Sequence, residues 1–345
     1  MNIKILEEDF SIAKQWDEYV LKNPLGTNDH LWNWRDILSQ AFGFKSHYLA
    51  AIEEGRLVGV LPLFQIPVGW RNSALTSIPY GNYGGILADT PEIEECLLDA
   101  AINILDSTHG KYLELRHRRS LSLSALVRPS QRTHNRFYLP LLTDSNLHLK
   151  AIGRNVRQQI RQSERSGLQI KNVVDVQTFY KIHTHTCQRL GSPCFPRRYF
   201  ELILEKFKGK ARILGAHFNG KVIASHFFIY FKNEIVCQFS ASYSDFFKFH
   251  PNEFLFWKSL QISCSEGFRV LDHCRSKIGS GNADFKKKFG FLEELLNYQY
   301  YLPRGGVPPF RSPANPKYQF AIQLWRRLPR PLINKLGPGL VRYFA

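Results

Sequence analysis

The sequence predicts an α/β fold built from two domains, and three observations support this prediction. Helical and strand-like patterns alternate along the first half of the chain, and a similar order of elements returns in the second half. The chain has 345 residues, 44% of them hydrophobic, so it can bury a large core, and its length favours two domains over one. Aromatic residues make up 14% of the sequence, which argues against extended disorder.

The first half begins with two predicted helices, SIAKQWDEYVLK and HLWNWRDILSQAF, in which apolar residues recur at helical spacing. HYLAAIEEGRLVGVLPLFQI predicts two strands joined by a turn at Glu54-Gly55. The glycine-rich turn YGNYGGILAD follows, then a helix from Pro91 to Ser107 and a strand at YLELR.

The second half predicts helices over 148–166 and 175–206, and then three strands at ARILGAHF, KVIASHFFIYF and EIVCQFSASY. A helix at NEFLFWKSLQISCSE, a strand at RVLDHC, a short helix at NADFKKKF and a last strand at FLEELLNYQYYL complete it. This order suggests an α/β fold of the acyltransferase type, with a degenerate copy in the first half. We expect domains over 1–145 and 146–302, and a Pro-rich linker with a basic amphipathic tail over 303–345.

The net charge of +17 is concentrated toward the C-terminus, where no Asp or Glu follows Leu295. Such a field attracts nucleic acid, anionic lipid or a phosphorylated substrate. The six cysteines form no CxxC pair, which indicates reduced thiols in a cytoplasmic protein. The N-terminus does not resemble a signal peptide, and no apolar run reaches the ~18 residues of a membrane span. We expect a cytoplasmic protein that can dock on the inner face of a membrane.

One predicted helix, GRNVRQQIRQSERSGLQI, places Arg154, Arg157, Arg161 and Arg165 on one narrow face. Arginine suits phosphate recognition, so this face is a candidate substrate-binding surface. The alternative is a solvated helix face that Glu164 partly neutralises.

A second candidate is the start of the helix in FHPNEFLFWKSL, where Asn252 occupies the position of an N-cap. A helix N-terminus offers free N–H groups to a phosphate such as that of coenzyme A or a nucleotide. The alternative is ordinary helix capping, because no RxxGxG/A loop precedes this helix.

The third candidate is DHCRSKIGSGNADFKKKFGF, residues 272–291, which combines cations with the flexible glycines Gly279 and Gly281. The strand end carries Asp272 and His273, and ligand spacing of the structural-zinc kind is absent, so we predict no metal. The loop predicts an anion cradle, and the alternative is a solvated basic loop. The predicted helix is capped by Asn282 and closed by Gly290. The candidate binding residues are Arg275, Ser276, Lys277, Gly279, Ser280, Gly281, Phe285, Lys286 and Lys287.

The tail helix PKYQFAIQLWRRL gathers its apolar residues, including Phe320, Leu324 and Trp325, on one side. This pattern predicts an interfacial helix, so an anionic membrane surface is a candidate partner of residues 317–345. The alternative is a helix docked on the protein's own core.

Several of these stretches together resemble one family. The matching stretches are RSKIGSGNADFKKKFGF, RNVRQQIRQSERSGL, LGSPCFPRRYF, NEFLFWKSL, YGNYGG, YLELR and NPKYQFAIQLWRRLP. They resemble FemAB-like proteins associated with PEP-CTERM/exosortase systems, in collinear order from Arg56 to Arg342. The wider family includes peptidoglycan bridge-forming aminoacyltransferases and polysaccharide-associated acyltransferases. The resemblance implies two tandem GNAT-like domains with a cleft between them, and Tyr83 in YGNYGG becomes a candidate binding residue.

The resemblance also implies transfer of an acyl or aminoacyl group to an amine or hydroxyl of a cell-envelope precursor, such as a phosphorylated or lipid-linked glycan. In bridge-forming members the region matching Phe285-Lys286 contacts the acceptor. The chain departs from the family at His273-Cys274, where an aromatic residue and a glycine are usual, and at Lys288-Phe289, where Asn-Trp is usual. It also lacks a long coiled-coil arm, which weakens the analogy to tRNA use. Acyl-CoA and aminoacyl-tRNA both remain candidate donors.

For the chemistry, we expect an enzyme that positions donor and acceptor and stabilises developing charge with cations. Asp272 is the candidate base or orienting group, His273 is the alternative base, and Tyr243 is a candidate proton donor. Two other functions remain open. One is a non-catalytic membrane-surface module that binds anionic glycan or lipid precursors. The other is nucleic-acid binding, although no stacking motif predicts recognition of a specific nucleic-acid sequence.

Overall fold

A computed structural model of the chain describes residues 3–7, 9–129, 134–305, 308 and 316–345, with the side chains of 316–318 outside the description. The chain divides into two compact units. The first unit comprises Met1–Arg132, Leu296–Arg311 and Leu340–Ala345, and the second unit comprises Thr133–Leu295 and Ser312–Gly339. Most of the predicted linker, 306–307 and 309–315, lies outside the described residues.

The first unit is a mixed sheet with helices packed on it. Its elements before the second unit are β1 (Ile3–Glu7), α1 (Ala13–Lys22), α2 (Asn33–Phe42), β2 (Lys45–Glu53), β3 (Arg56–Val68), β4 (Asn72–Ser77), β5 (Leu87–Ala88), α3 (Pro91–Ser107) and β6 (Leu113–His117). The helix predicted from Pro91 to Ser107 is present with those bounds, because Thr90 caps it and Pro91 starts it. Its buried residues Ile93, Leu97 and Ala101 form an apolar stripe in the core of this unit.

The second unit contains a second sheet. Its elements are β7 (His134–Pro140), α4 (Arg154–Arg165), β8 (Gln169–Lys171), α5 (Val176–Leu190), α6 (Arg197–Lys206), β9 (Ala211–Phe218), β10 (Lys221–Phe231), β11 (Glu234–Ser242), α7 (Pro251–Ser265), β12 (Val270–Lys277), α8 (Gly281–Lys288) and β13 (Leu292–Leu295). The strand order is β13-β7-β12-β11-β10-β9-β8. The pairs β9–β10 and β10–β11 are antiparallel, as expected for the predicted meander, whereas β11 and β12 are parallel.

The chain then returns to the first sheet through β14 (Asn297–Tyr301), giving that sheet the order β1-β2-β3-β4-β6-β14, with β5 beside β3. Two helices follow, α9 (Pro316–Arg327) and α10 (Arg330–Val341). None of the helices in the described part of the chain has the length and apolar character that a membrane crossing requires.

The structure differs from the sequence prediction at three elements. FLEELLNYQYYL is two strands, because β13 pairs with β7 in the second sheet and β14 pairs with β6 in the first. The helix predicted over 175–206 is interrupted at 191–196, where Gly191 has a left-handed φ of 76° and two prolines follow. The helix predicted over 148–166 begins only at Arg154, after a 3-10 turn over Ser145–Lys150.

The domain boundary also lies elsewhere than the sequence placed it. β7 precedes residue 146, yet it pairs with β12 and β13 in the second sheet. The second unit therefore begins at Thr133, and the tail predicted as a separate segment over 303–345 is divided between the two units.

Candidate functional site

The second unit contains a cavity of about 510 Å³ at the point where two neighbouring strands separate. Parallel pairing of β11 with β12 covers only three residue pairs, from Glu234–Val270 to Val236–Asp272. Beyond these pairs, residues of both strands line the cavity. Its lining consists of Thr186, Arg189, Leu190, Cys237, Gln238, Ser240, Ser242, Phe247, Asn252, Phe256, His273, Cys274, Arg275, Gly281, Asn282, Phe285 and Lys286.

A β-bulge in β12 accompanies this separation. The register of β12 against β7 shifts between Asp272 and Arg275, and Cys274 has a left-handed φ of 55°. A non-glycine residue in this conformation is strained, whereas glycine adopts it freely. Glycine, which the resemblance predicts at this position, would adopt this conformation without strain.

His273 lines the cavity as a buried, neutral imidazole. Its Nε2 is buried without a hydrogen-bond partner among the described residues. The ring stacks on Phe256 with centroids 4.1 Å apart, and Phe291 meets it edge-on at 5.0 Å. Burial, with smaller contributions from His226 and Lys286, lowers the pKa of His273 well below 6.5. The ring is therefore held in place, and its Nε2 makes no hydrogen bond with the described residues.

Lys286 supplies the nearest cation. Its side chain is buried, and Nζ donates a hydrogen bond to the backbone oxygen of His273 at 2.5 Å. The same Nζ lies 5.3 Å from the centroid of the Phe137 ring. Burial lowers the pKa of Lys286, although the neighbouring Cys274, Cys237 and Asp272 oppose this shift. Lys286 therefore connects α8 to the strand end that carries His273.

The position of Asp272 contradicts the prediction that it acts as the base. Its side chain is fully buried and is not part of the cavity lining. The carboxylate accepts hydrogen bonds from Arg136 Nε at 2.7 Å and from the backbone N–H of Cys274 at 2.6 Å. These two hydrogen bonds stabilise the buried ion pair and the β-bulge, so Asp272 has a structural role.

The end of β12, the short loop after it and the start of α8 contribute only some of the predicted residues to the cavity. Arg275, Gly281 and Asn282 line it. Ser276 is buried and accepts a hydrogen bond from Asn282 Nδ2 at 3.0 Å. Three other predicted residues, Lys277, Gly279 and Ser280, are not part of the cavity lining.

The cap of α8 is Ser280, whose hydroxyl accepts from the N–H of Ala283 at 3.2 Å, and not Asn282 as predicted. Within α8, Phe285 and Lys286 line the cavity. Lys287 instead forms an ion pair with Glu293 at 2.7 Å.

Asn252 also lines the cavity but does not cap α7. The residue in the cap position is His250, which has a left-handed φ of 53° and makes no side-chain capping bond, and the helix begins at Pro251. Asn252 is thus the second residue of the helix and lies in its first turn, because the observed cap position is two residues before the predicted one.

The arginine face of α4 does not belong to this site. Arg157 Nη1 donates to the backbone oxygens of Leu149 and Ile152 at 2.9 and 2.8 Å, so it stabilises the preceding turn. Arg154 and Arg161 are exposed and do not line the cavity. The solvated-face alternative describes these two residues.

The two tyrosine candidates also lie outside the cavity lining. Tyr243 packs edge-on against His185 with centroids 4.9 Å apart, and burial raises its pKa, which weakens it as a proton donor. Tyr83 is buried in the first unit, where it lines a separate cavity of about 20 Å³ and its backbone oxygen accepts from Thr27 Oγ1.

Sequence reasoning missed the contribution of β11. Gln238, Ser240 and Ser242 line the cavity, and they alternate with Phe239 and Ala241 at the end of β11. Alternate residues of a strand face the same side, so this polar period of two was the available signal.

Three buried side chains in this region are also candidate ligands of a metal ion. The ligand atoms of His226, Cys237 and His273 lie within 4.8 Å of one another. However, burial raises the pKa of the Cys237 thiol, and the thiol rather than the metal-binding thiolate is favoured. The Lys286 cation beside these residues also opposes a divalent ion. The residues fit a metal poorly, and no step below uses one.

Comparison with known proteins identifies the fold. Residues 152–287, all within the second unit, match the model of the GNAT acetyltransferase domain. None of the curated protein sequences compared with the chain matches it.

Solved structures extend the likeness to nearly the whole chain. The structure of FemX is 14% identical, with a TM-score of 0.69 over 94% of this chain and 100% of that one. A tandem GNAT protein from the clavulanic acid biosynthesis pathway is 12% identical, with a TM-score of 0.56 over 89% and 100% of the two chains. The C-terminal domain of a putative lysylphosphatidylglycerol synthetase from Agrobacterium fabrum is 13% identical, with a TM-score of 0.57 over 96% and 98%. The predicted fold of two tandem GNAT-like units is confirmed.

Proposed function

We propose that the second unit transfers an acyl group from acyl-CoA to an amine or hydroxyl, with His273 as the general base. The observation that carries this proposal is that His273, a neutral imidazole whose Nε2 has no hydrogen-bond partner among the described residues, lines the cavity between β11 and β12. A general base must hold a free lone pair within reach of the acceptor's proton, and His273 meets the first condition at neutral pH.

The separated strands suit the shape of the donor. Beyond Val236 and Asp272, β11 and β12 no longer pair with each other, so an extended ligand that carries amides can hydrogen-bond to a strand edge. The pantetheine arm of acyl-CoA is such a ligand. Arg189 and Arg275 supply positive charge, and the described residues that line the cavity include no Asp or Glu. This balance favours a phosphorylated donor.

The chemistry follows from the position of His273. The nitrogen or oxygen of the acceptor attacks the thioester carbon, and Nε2 of His273 accepts the proton that this amine or hydroxyl releases. The tetrahedral intermediate collapses, the carbon–sulfur bond breaks, and the coenzyme leaves as a thiolate. Because His273 is buried beside Lys286, its protonated form is a strong acid and returns the proton to the thiolate.

The acceptor is the finer part of the proposal. The resemblance of the RSK…FKK stretch to FemAB-like proteins supports a cell-envelope precursor that carries an amine or hydroxyl, such as a phosphorylated or lipid-linked glycan. Phe285 and Lys286, which match the acceptor-contacting region of that family, lie in the cavity lining.

A transfer assay tests the donor and the site together. Purified protein is incubated with an envelope lipid and glycan extract and with labelled acetyl-CoA or labelled aminoacyl-tRNA in parallel. We expect label to move from acetyl-CoA alone. Arg275→Ala removes a cation of the lining and should raise the KM for the donor, whereas Lys277→Ala, an exposed cation outside the lining, should not. Transfer from aminoacyl-tRNA alone would overturn the assignment of acyl-CoA as the donor. Consumption of neither donor would overturn the proposed transferase activity.

A further inference from the structure

The C-terminal helix pair α9–α10 takes no part in the proposed chemistry and has two different faces. Its inner face packs on the second unit, where Trp325 and Ile333 join Cys187 and Cys194 in a small apolar cluster. Gly337 lies so close to Cys194 that an added Cβ would meet its sulfur at 2.5 Å. The pair is therefore held against the second unit, as the docked-helix alternative expected.

The outer face carries exposed apolar side chains in regular rows. On α10, Leu332 and Leu336 are 44% and 45% exposed. On α9, Phe320 and Leu324 are 71% and 54% exposed. Residues four apart share one side of a helix, so each helix displays an apolar stripe. Stripes of this kind on a soluble surface mark an interaction site.

The charged residues of these two helices are all of one sign. Arg326, Arg327, Arg330 and Lys335 are exposed on the same two helices, and no Asp or Glu occurs after Leu295. Arg330 also contacts His185 at 2.9 Å, and Arg326 contacts the backbone oxygen of Leu190 at 3.5 Å. In the described part of the chain, Arg327 and Lys335 are exposed and make no such contact.

We propose that the outer face of α9–α10 docks on an anionic lipid bilayer. Leucine and phenylalanine side chains enter the boundary between headgroups and acyl chains, while Arg327 and Lys335 contact lipid phosphates. Long basic side chains can bury their stems beside the stripe and keep their charges at the headgroups. The proposal does not depend on the transfer chemistry.

The uniform charge is what favours a membrane over a protein partner. Protein interfaces exclude lysine from their apolar centres and usually pair charges of both signs. Here apolar and basic residues alternate along the same helices, and an anionic bilayer is complementary to both at once.

Sedimentation of the full-length protein with vesicles tests the proposal. We expect binding to vesicles of phosphatidylglycerol and phosphatidylcholine, and little binding to phosphatidylcholine alone. The double variant Leu332→Gln, Leu336→Gln should weaken binding by roughly a hundredfold, about tenfold for each leucine removed from the interface. Arg327→Gln with Lys335→Gln should also weaken it and reduce its dependence on salt.

The matched control is Val173→Gln, because Val173 is 71% exposed on another part of the second unit. Both leucines are exposed, so their replacement should leave the thermal unfolding temperature unchanged, which excludes misfolding as the cause. Binding that the leucine variant retains in full would overturn the proposal. So would self-association through the stripe, detected by light scattering without vesicles and lost in the leucine variant.

Discussion

The buried pair Arg136–Asp272 provides a quantitative test of the structural position given to Asp272. Asp272 is completely buried and Arg136 is 3% exposed, with 2.7 Å between Nε and the carboxylate. Asp272→Ala would remove the carboxylate and leave the buried guanidinium with Glu294, at 2.9 Å, and Glu234, at 3.8 Å. The same change would remove the acceptor of the Cys274 N–H.

Breaking a buried ion pair from one side costs about 3–5 kcal/mol, because the remaining charge stays buried. Glu294 is 40% exposed and keeps part of the pairing, so the lower end of this range applies to the guanidinium. The orphaned N–H adds about 1 kcal/mol. We therefore expect Asp272→Ala to lower the free energy of unfolding of the second unit by about 4 kcal/mol.

Hydrogen exchange of the β10 to β12 amides measures this change within the second unit, where whole-chain unfolding would mix both units. Glu164→Ala is the control, because its pair with Lys258 has a similar distance of 2.8 Å but side chains 25% and 40% exposed. That exposed pair should contribute at most about 1 kcal/mol. Equal losses from the two variants would refute the reasoning, since burial would then make no difference.

Three further predictions concern the stability of the second unit and are read from hydrogen exchange of its amides. Cys274→Gly should be neutral or stabilising by about 1 kcal/mol because φ is 55°, while Cys274→Val should be destabilising, and the reverse order would contradict the strained bulge. Gly215→Ala would place a Cβ 2.7 Å from Val174 and should lose about 1–3 kcal/mol, whereas Gly281→Ala, with nothing within 4 Å, should lose none. Burial lowers the pKa of His183 to about 3. As the pH falls below 6.5, this histidine therefore binds a proton in the unfolded chain and stays neutral in the native state. Stability should fall by about 2 kcal/mol between pH 7 and pH 5 for this histidine, and His183→Gln should remove that part of the loss.

The fold was largely predictable because periodicity and helix-start signals are local. Thr90 and Pro91 mark the start of α3 in the sequence as clearly as in the structure. The sequence did not show that FLEELLNYQYYL forms two strands, because its apolar pattern is continuous. Only the pairing with β7 and β6 assigns its two halves to different sheets.

The site was predictable only in part, because its key contacts join distant segments. Arg136 and Asp272 are 136 residues apart, and nothing near Asp272 in the sequence shows that its carboxylate is already paired. Arg157 satisfies backbone oxygens a few residues away, a local role that a pattern of repeated arginines conceals. His273 was among the candidates, but its burial and free Nε2 are properties of the packing.

Single-turnover transfer by His273→Gln tests the central claim most directly, with His183→Gln as the matched control. Both histidines are buried in the second unit, and both have a lowered pKa, but only His273 lines the cavity. We predict that His273→Gln slows the chemical step by about 10²–10⁴-fold with little change in donor binding, while His183→Gln retains the rate. Equal rates for the two variants would contradict the assignment of His273 as the base.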